Sequence, residues 1–263
     1  MKLVDLTRPL APVDESRFPT LLKPLLRIIA PEVEYVDHRG GAKIMSDLFG
    51  CSQSELPQAE GWAEENLSIS SHLGTHVDAP WHYGSTCGGQ RARTIDEVPL
   101  ADLYCNAVVL DMSGKRGSGQ AITVDDLKAA LDAVSYQIKE GDAVLIRTDH
   151  DKYDLADPMR YMYPGLVRES SLWLAEQGAK VGGTDATGWD RPFPVMVRDY
   201  QMTRDPRYIW DAHYAYRDVE FYIVQQLVNL QELPAHGFKV VFFPLKLVGA
   251  SAAPARVVAF VED

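Results

Sequence analysis

Residues 71–83 read SHLGTHVDAPWHY, and this stretch concentrates the ionisable side chains of a 263-residue chain. It holds three of the seven histidines, His72, His76 and His82, together with the carboxylate of Asp78. Imidazole and carboxylate groups together suit a borderline divalent cation such as Zn²⁺ or Mn²⁺. The stretch therefore predicts a metal site.

The spacing of these residues predicts the local backbone. His76 and Asp78 are two positions apart, so on a strand they point to the same face, ~7 Å from each other. His72 would lie ~13 Å from His76 in a straight strand, which is too far for a shared ion. Gly74 can bend the chain between them, and it disfavours a helix, as Pro80 does. We expect a bent loop-to-strand segment that offers three ligands.

Three protein ligands leave a coordination position for water, which is typical of a catalytic ion rather than a structural one. Such an ion lowers the pKa of its water to about 7 and polarises a substrate carbonyl. His82 follows Pro80 and can approach that water as a general base and then a general acid. A single histidine is more often an ordinary hydrogen-bonded residue, so the prediction rests on the joint pattern.

The remaining chain has more strand patterns than helix patterns. Residues 1–66 are interrupted by six prolines and are expected to be irregular, with one short strand at 26–29. Apolar runs then predict strands, and capped amphipathic segments predict helices. The strands are expected at 105–112, 143–148, 180–184, 219–225, 238–245 and 257–261, and the helices at 124–134 and 169–176. Helices and strands alternate only in the middle, which predicts an α/β or α+β fold with a mixed sheet, in one domain over residues 1–263.

Composition excludes several classes of function. The formal net charge of −11 disfavours nucleic acid as a partner. No apolar run approaches the ~20 residues that span a bilayer, and the first residues lack the apolar core of a signal peptide. The three cysteines, Cys51, Cys87 and Cys105, form no CxxC pair, so a thiolate zinc site is not expected. We expect a cytoplasmic protein that acts on a small molecule.

Residues 72–82 match the HxGTHxDxPxH signature at every fixed position. The chain thereby resembles the metal-dependent hydrolases called the cyclase family, which includes bacterial kynurenine formamidase and isatin hydrolase. The resemblance extends along nearly the whole chain. It includes the stretches at 4–7, 183–185, 213–230, 243–250 and 254–256.

This resemblance implies a swivelling β/β/α fold with a mixed, partly barrel-like sheet, and a homodimer or higher homo-oligomer. It implies that His72, His76 and Asp78 bind the metal and that His82 is the catalytic acid/base. His213 resembles the family histidine that lies near the metal and the bound substrate.

One position departs from the kynurenine formamidases. They carry a glutamate twelve residues after that histidine, which helps to hold a second zinc, and this chain has Gln225 there. A neutral amide is a far weaker cation ligand than a carboxylate. We therefore expect one divalent ion per chain, Mn²⁺ or Zn²⁺. The long stretch before the motif is more similar to the isatin hydrolase branch.

Further side chains are candidates for the substrate site. Trp81, Tyr83 and Phe18 can form an aromatic wall around a planar substrate, although aromatic residues beside a motif are often core. Gln225 can bond to water on the metal or to a buried polar neighbour. Asp185 either orients a ligand histidine or, as we expect, caps a turn.

The predicted function is hydrolysis of an amide, a cyclic amide or a lactone of a small aromatic substrate by metal-activated water. His82 and His213 are the predicted catalytic residues. Two alternatives remain open from the sequence. One is a lyase or isomerase that uses the same ion to polarise a carbonyl, and the other is a non-catalytic binding protein that retains the metal.

Overall fold

A computed structural model describes residues 1–20, 23, 26–115 and 119–262, apart from the side chains of residues 27 and 28. The strands in this part of the chain are β1 (Lys2–Asp5), β2 (Glu32–Val36), β3 (Glu64–Ser68), β4 (His76–Asp78), β5 (Thr86–Cys87), β6 (Gln90–Arg91), β7 (Tyr104–Asp111), β8 (Ala121–Ile122), β9 (Ala143–Arg147), β10 (Gly165–Leu166), β11 (Val181–Thr184), β12 (Tyr222–Gln225), β13 (His236–Val241), β14 (Ala252–Pro254) and β15 (Val258–Val261). The α-helices are α1 (Leu26–Ile29), α2 (His38–Phe49), α3 (Pro80–Tyr83), α4 (Val124–Ala133), α5 (Arg168–Glu176), α6 (Phe193–Thr203) and α7 (Asp211–Ala215).

Nine of these strands form one mixed sheet in the order β1-β15-β13-β7-β9-β11-β12-β4-β14. The central strands β7, β9, β11 and β12 are parallel to one another. Both flanks are antiparallel, and β4 is held between β12 and β14. The strand that carries His76 and Asp78 is therefore hydrogen-bonded on both sides.

The sheet curls so that its two ends share one core. Val4 of β1 and Ala253 of β14 belong to the same buried cluster as Leu145 of the central strand β9. A bridge between Thr7 and Leu227 links the segment after β1 to the segment after β12. This partly barrel-like mixed sheet confirms the predicted fold class.

The convex face of the sheet is covered by helices. Along β9, Ala143 and Leu145 face the inner core, whereas Val144 and Ile146 pack in a second cluster with residues of α4, α5 and α7. A strand buried on both faces reads as a continuous apolar run, which is why β9 was predictable. The predicted helices at 124–134 and 169–176 are confirmed within one residue. No helix in the described ranges is both long enough and apolar enough to cross a bilayer.

The N-terminal region is more regular than its prolines predict. The strand expected at 26–29 is wrong, because these residues form the short helix α1. Residues 38–49 form the twelve-residue helix α2, which was not predicted. Its local signals are present: Asp37 accepts hydrogen bonds from the backbone N–H groups of Arg39 and Gly40, and Gly50 ends the helix with φ +64°. Two glycines within α2 lower its intrinsic helix propensity.

Gly182 of β11 offers a test of the packing between the sheet and its helical layer. A Cβ at this position would lie 2.3 Å from Cη2 of Trp189 and 2.9 Å from Cε1 of Phe221, both of which are fully buried. We expect Gly182→Ala to lower the free energy of unfolding by about 1–3 kcal/mol, because the buried rings must shift. Urea denaturation measures the change. In Gly114→Ala the new Cβ has no heavy atom of the described residues within 4 Å. This control should change stability by less than about 0.5 kcal/mol.

Candidate active site

The 72–82 motif folds as a turn followed by strand β4. Gly74 adopts φ +60°, a left-handed conformation that glycine tolerates, and it lies in the bend between His72 and His76. His76 and Asp78 then lie on one face of β4, opposite Gln225 and Ile223 of β12. The predicted bent loop-to-strand segment is therefore present.

Two imidazoles converge on one oxygen of Asp78. His72 Nδ1 lies 2.9 Å and His76 Nε2 lies 3.4 Å from Asp78 Oδ1. Each ring has its other nitrogen engaged elsewhere. The Nδ1–H of His76 donates to the carbonyl of Gly74 at 2.7 Å, and His72 Nε2 shares a hydrogen bond with Ser251 Oγ at 3.1 Å. These contacts fix the ring orientations and turn the remaining nitrogens toward Asp78.

These atoms fit a divalent cation. Asp78 is fully buried, and its Oδ1 and His76 Nε2 have no hydrogen-bond partner among the described residues. Buried polar atoms without partners are rare and need an explanation. A carboxylate oxygen and two imidazole nitrogens are ligands that Zn²⁺ and Mn²⁺ accept. The side chain of His72 is 22% exposed, so the site opens toward solvent on its side.

His82 stands beside this cluster on the short helix α3. Its ring centroid is 4.0 Å from that of His72, and the ligand atoms of His72, Asp78 and His82 all lie within 4.8 Å of one another. Burial lowers the pKa of His82 to about 3, and the neighbouring imidazoles of His72 and His213 add to this effect against the attraction of Asp78. A neutral His82 next to the metal position is able to accept a proton.

His213 reaches the opposite side of Asp78 from helix α7. Its Nδ1 is hydrogen-bonded to the buried carboxylate of Asp190, and its Nε2 lies 3.8 Å from Asp78 Oδ2. Burial alone would lower the pKa of His213, but Asp190 and Asp78 raise it to about 9. The site therefore combines a neutral imidazole, His82, with a protonated one, His213. Two titratable groups with pKa values moved apart are typical of acid–base sites.

The side chain of Gln225 contacts other buried side chains of the site. Its Nε2 donates to Asp78 Oδ2 at 2.7 Å and lies 3.4 Å from His213 Nε2. Of the two roles open from the sequence, the contacts correspond to a buried polar neighbour that Gln225 satisfies. Burial alone would raise the pKa of Asp78, but the surrounding imidazoles of His82, His76, His213 and His72 hold it well below its usual value.

The predicted aromatic wall is only partly compatible with the structure. Trp81 is 40% exposed and precedes His82 in the sequence, but among the described residues its ring contacts no histidine ring. Tyr83 cannot contact a ligand, because it is 1% exposed and its hydroxyl donates to the Asp78 carbonyl and accepts from the N–H of Ile223. Phe18 is 5% exposed, and among the described residues it makes no ring contact with the histidines. Tyr83 is therefore a structural residue.

Asp185 has the capping role that we expected. Its carboxylate accepts hydrogen bonds from the N–H and hydroxyl of Thr148 and from the N–H of Asp149. These bonds join the end of β9 to the end of β11.

Three site residues were missed from the sequence: Asp190, Trp210 and Ser251. Asp190 and Ser251 are distant in sequence from the histidines they contact, and no local pattern marks them. Trp210 stacks on His213 with ring centroids 4.3 Å apart. It precedes His213 by three positions, a spacing at which side chains on a helical turn are neighbours, so it could have been found.

The comparison with protein families bears on this geometry. The family model described as cyclase matches residues 4–191, which include the whole 72–82 motif and Asp190. The chain belongs to the cyclase family. His213 and Gln225 lie beyond the matched range, so their place in the site rests on the geometry given above.

Relatives of known name are similar to this cyclase-family chain over most of its length. Kynurenine formamidase from Maricaulis maris is 30% identical over 193 residues, which cover 73% of this chain and 78% of that protein. Kynurenine formamidase from Salinibacter ruber is 28% identical over 194 residues, which cover 73% and 77%. The solved structure of isatin hydrolase A from Labrenzia aggregata, bound to benzyl benzoate, has a TM-score of 0.74 and 28% identity and covers 100% of this chain and 94% of that one.

Replacement of Asp78 tests the metal site directly. We expect Asp78→Asn to weaken binding of Mn²⁺ or Zn²⁺ by more than about 100-fold, because loss of a ligand exceeds the 10–100-fold effect of losing a supporting hydrogen bond. Isothermal titration of the metal-free protein measures this. Asp132→Asn, on the exposed face of α4, makes the same chemical change away from the site and should bind metal like the parent. Unchanged affinity in Asp78→Asn would contradict the assignment.

Proposed function

We propose that this chain is a metal-dependent hydrolase that opens an amide, cyclic amide or lactone carbonyl of a small aromatic substrate. The observation that carries the proposal is the convergence of His72 Nδ1 and His76 Nε2 on the buried Oδ1 of Asp78, next to a neutral His82. A divalent cation held by these three side chains supplies a water of lowered pKa and polarises the carbonyl.

The chain's own residues have distinct parts in this proposal. His72 and His76 are ligands, since each has its second nitrogen engaged by Ser251 or Gly74. His82 has both ring nitrogens without a hydrogen-bond partner among the described residues, so one can take a proton from the attacking water. His82 then returns that proton to the leaving nitrogen or oxygen as the acyl bond breaks. The protonated His213, held by Asp190, donates toward the oxygen on which negative charge develops.

Several observations favour an aromatic substrate. Trp81 adjoins His82 and leaves 40% of its surface exposed. The relatives of known name include kynurenine formamidases and isatin hydrolase, and the isatin hydrolase structure was solved with the aromatic ester benzyl benzoate.

We further propose one domain over residues 1–263, a homodimer, and action in the cytoplasm. The shared inner core, which joins β1 to β14, supports one domain. The net charge of −11 suits a small-molecule enzyme without a nucleic acid partner. Size-exclusion chromatography with light scattering tests the dimer.

Metal content tests the role of Gln225. We expect about one Mn²⁺ or Zn²⁺ per chain, because the neutral amide of Gln225 is already bonded to Asp78. In Gln225→Glu two carboxylates face each other, and their repulsion is relieved by a second cation, so the ratio should rise above one. Elemental analysis of both proteins after dialysis gives the numbers. Two ions in the parent would overturn the single-ion proposal.

Turnover is tested on a panel containing an N-formyl aryl amine, isatin and an aryl lactone. Chelation should abolish activity, and added Mn²⁺ or Zn²⁺ should restore it. Reaction in ¹⁸O-labelled water should place one label in the acid product, as hydrolysis requires. Turnover without label would favour the lyase or isomerase, and ligand binding without turnover would favour a non-catalytic protein.

His82→Ala tests the proton acceptor. We expect kcat to fall by about 10²–10⁴-fold, the usual contribution of general acid–base catalysis, while the metal content stays unchanged. His38→Ala removes an exposed imidazole at the start of α2 and should retain the parent's rate. Full turnover by His82→Ala would show that another group takes the proton.

A further inference from the structure

The ring of His82 is surrounded mainly by other rings. In acid–base sites the base is normally held by a hydrogen bond from its other side to a third group. His72, His76 and His213 follow this rule through Ser251, Gly74 and Asp190. The ring of His82 makes no hydrogen bond within the described part of the chain. Within these residues its contacts are with the rings of His72, Tyr83, Trp210 and His213.

Two aromatic rings contact both imidazoles not assigned as ligands: Tyr83, at 5.9 Å from His82 and 5.6 Å from His213, and Trp210, which lies closer to each. The plane of Trp210 lies 16° from that of His213, with centroids 4.3 Å apart, and 88° from that of His82, with centroids 5.0 Å apart. His82 and His213 are accordingly 81° from each other, with centroids 5.7 Å apart. The ring centroid of His82 also lies 4.0 Å from that of His72. His82 is thus packed between His72 and the indole of Trp210.

The backbone fixes the indole in this place. Trp210 has φ 51° and ψ 41°, a left-handed conformation that is rare for a residue with a large side chain. Such conformations persist where the surrounding structure imposes them, and they cluster at functional sites. The surrounding structure here is the start of α7, where the carboxylate of Asp190 accepts from the N–H groups of Ala212 at 2.8 Å and His213 at 3.3 Å. Tyr214 also donates its N–H to the Trp210 carbonyl at 3.0 Å.

From these contacts we infer that Trp210 is a positioning residue that holds His82 and His213 perpendicular to each other around Asp78. The expected effect on kcat rests on the proposed function. The expected effect on the orientation of the His82 ring rests on the ring geometry alone. Trp210 stacks on one imidazole and closes the free side of the other, so a side chain without a flat ring leaves His82 able to rotate away from the water it deprotonates.

The kinetic test compares variants that differ in the flat ring. Trp210→Leu should lower kcat by about 10–100-fold, the usual consequence of a misplaced catalytic group, with KM changed less than about threefold. Trp210→Phe keeps an aromatic plane and should retain kcat within about threefold of the parent. Trp210→Met gives the same comparison as leucine if leucine destabilises the fold. Trp173→Leu, on helix α5, is the control for loss of a partly buried tryptophan and should keep the parent's kinetics.

A spectroscopic test does not depend on turnover. In the Zn²⁺-loaded protein with ¹³C-labelled histidine, the ring signals of His82 are identified by their loss in His82→Gln. They should move in Trp210→Leu and return toward the parent position in Trp210→Phe, while the Zn²⁺ content stays unchanged. If the parent hydrolyses nothing on the panel, the proposed function fails and these signals still decide the role of Trp210.

Four results would overturn the inference. They are a kcat of Trp210→Leu within twofold of an active parent, a rise in KM alone, loss of Zn²⁺ from Trp210→Leu, and His82 ring signals that do not move. A rise in KM alone would mean that the indole contacts substrate instead. Loss of Zn²⁺ would mean that it supports the metal ligands.

Discussion

The rest of the site depends on one constraint, a carboxylate buried without solvent at the meeting point of several imidazoles. Asp78 has 0% exposure, and its two oxygens divide the site. Oδ1 faces His72 and His76, and Oδ2 accepts from Gln225 and faces His213. A buried charge is costly unless it is paired, and removing a partner leaves that cost uncompensated. The carboxylate thus requires positive charge at Oδ1, and two orientated imidazole nitrogens make a cation the natural form of that charge.

The fold supplies the rigidity that this arrangement needs. β4 has only three residues, yet it is hydrogen-bonded to β12 on one side and β14 on the other. Gln225 reaches Asp78 from β12, and Ser251, just before β14, reaches His72. Both of these neighbouring segments come from the C-terminal part of the chain. The site therefore joins a motif from the first third of the sequence to side chains from its last part.

The sequence predicted those parts of the site that local spacing determines. The 72–82 motif indicated a bend at Gly74 and a strand carrying His76 and Asp78, because strand alternation and glycine's conformational freedom act over a few residues. Strands such as β9 were predictable from continuous apolar runs. Asp190 and Ser251 were not predictable, since their contacts with His213 and His72 depend on how distant segments meet. Helix α2 was missed although Asp37 and Gly50 mark its ends, because prolines on both sides and internal glycines outweighed those signals.

The residue at position 225 affects both the number of metal ions and the protonation of His213. It is a glutamine in this chain, where the kynurenine formamidases carry a glutamate. An amide adds no negative charge, so Asp78 and Asp190 are the carboxylates that act on His213, and together they raise its pKa to about 9. A carboxylate at position 225 would attract a second cation to the same space, and a cation there would compete with the proton on His213 Nε2. The proposed single ion and the protonated imidazole would then both follow from the amide at position 225. In this chain the positive charge that a second metal would bring is carried by His213. A protonated imidazole can donate a hydrogen bond, whereas a metal ion can only accept electron pairs.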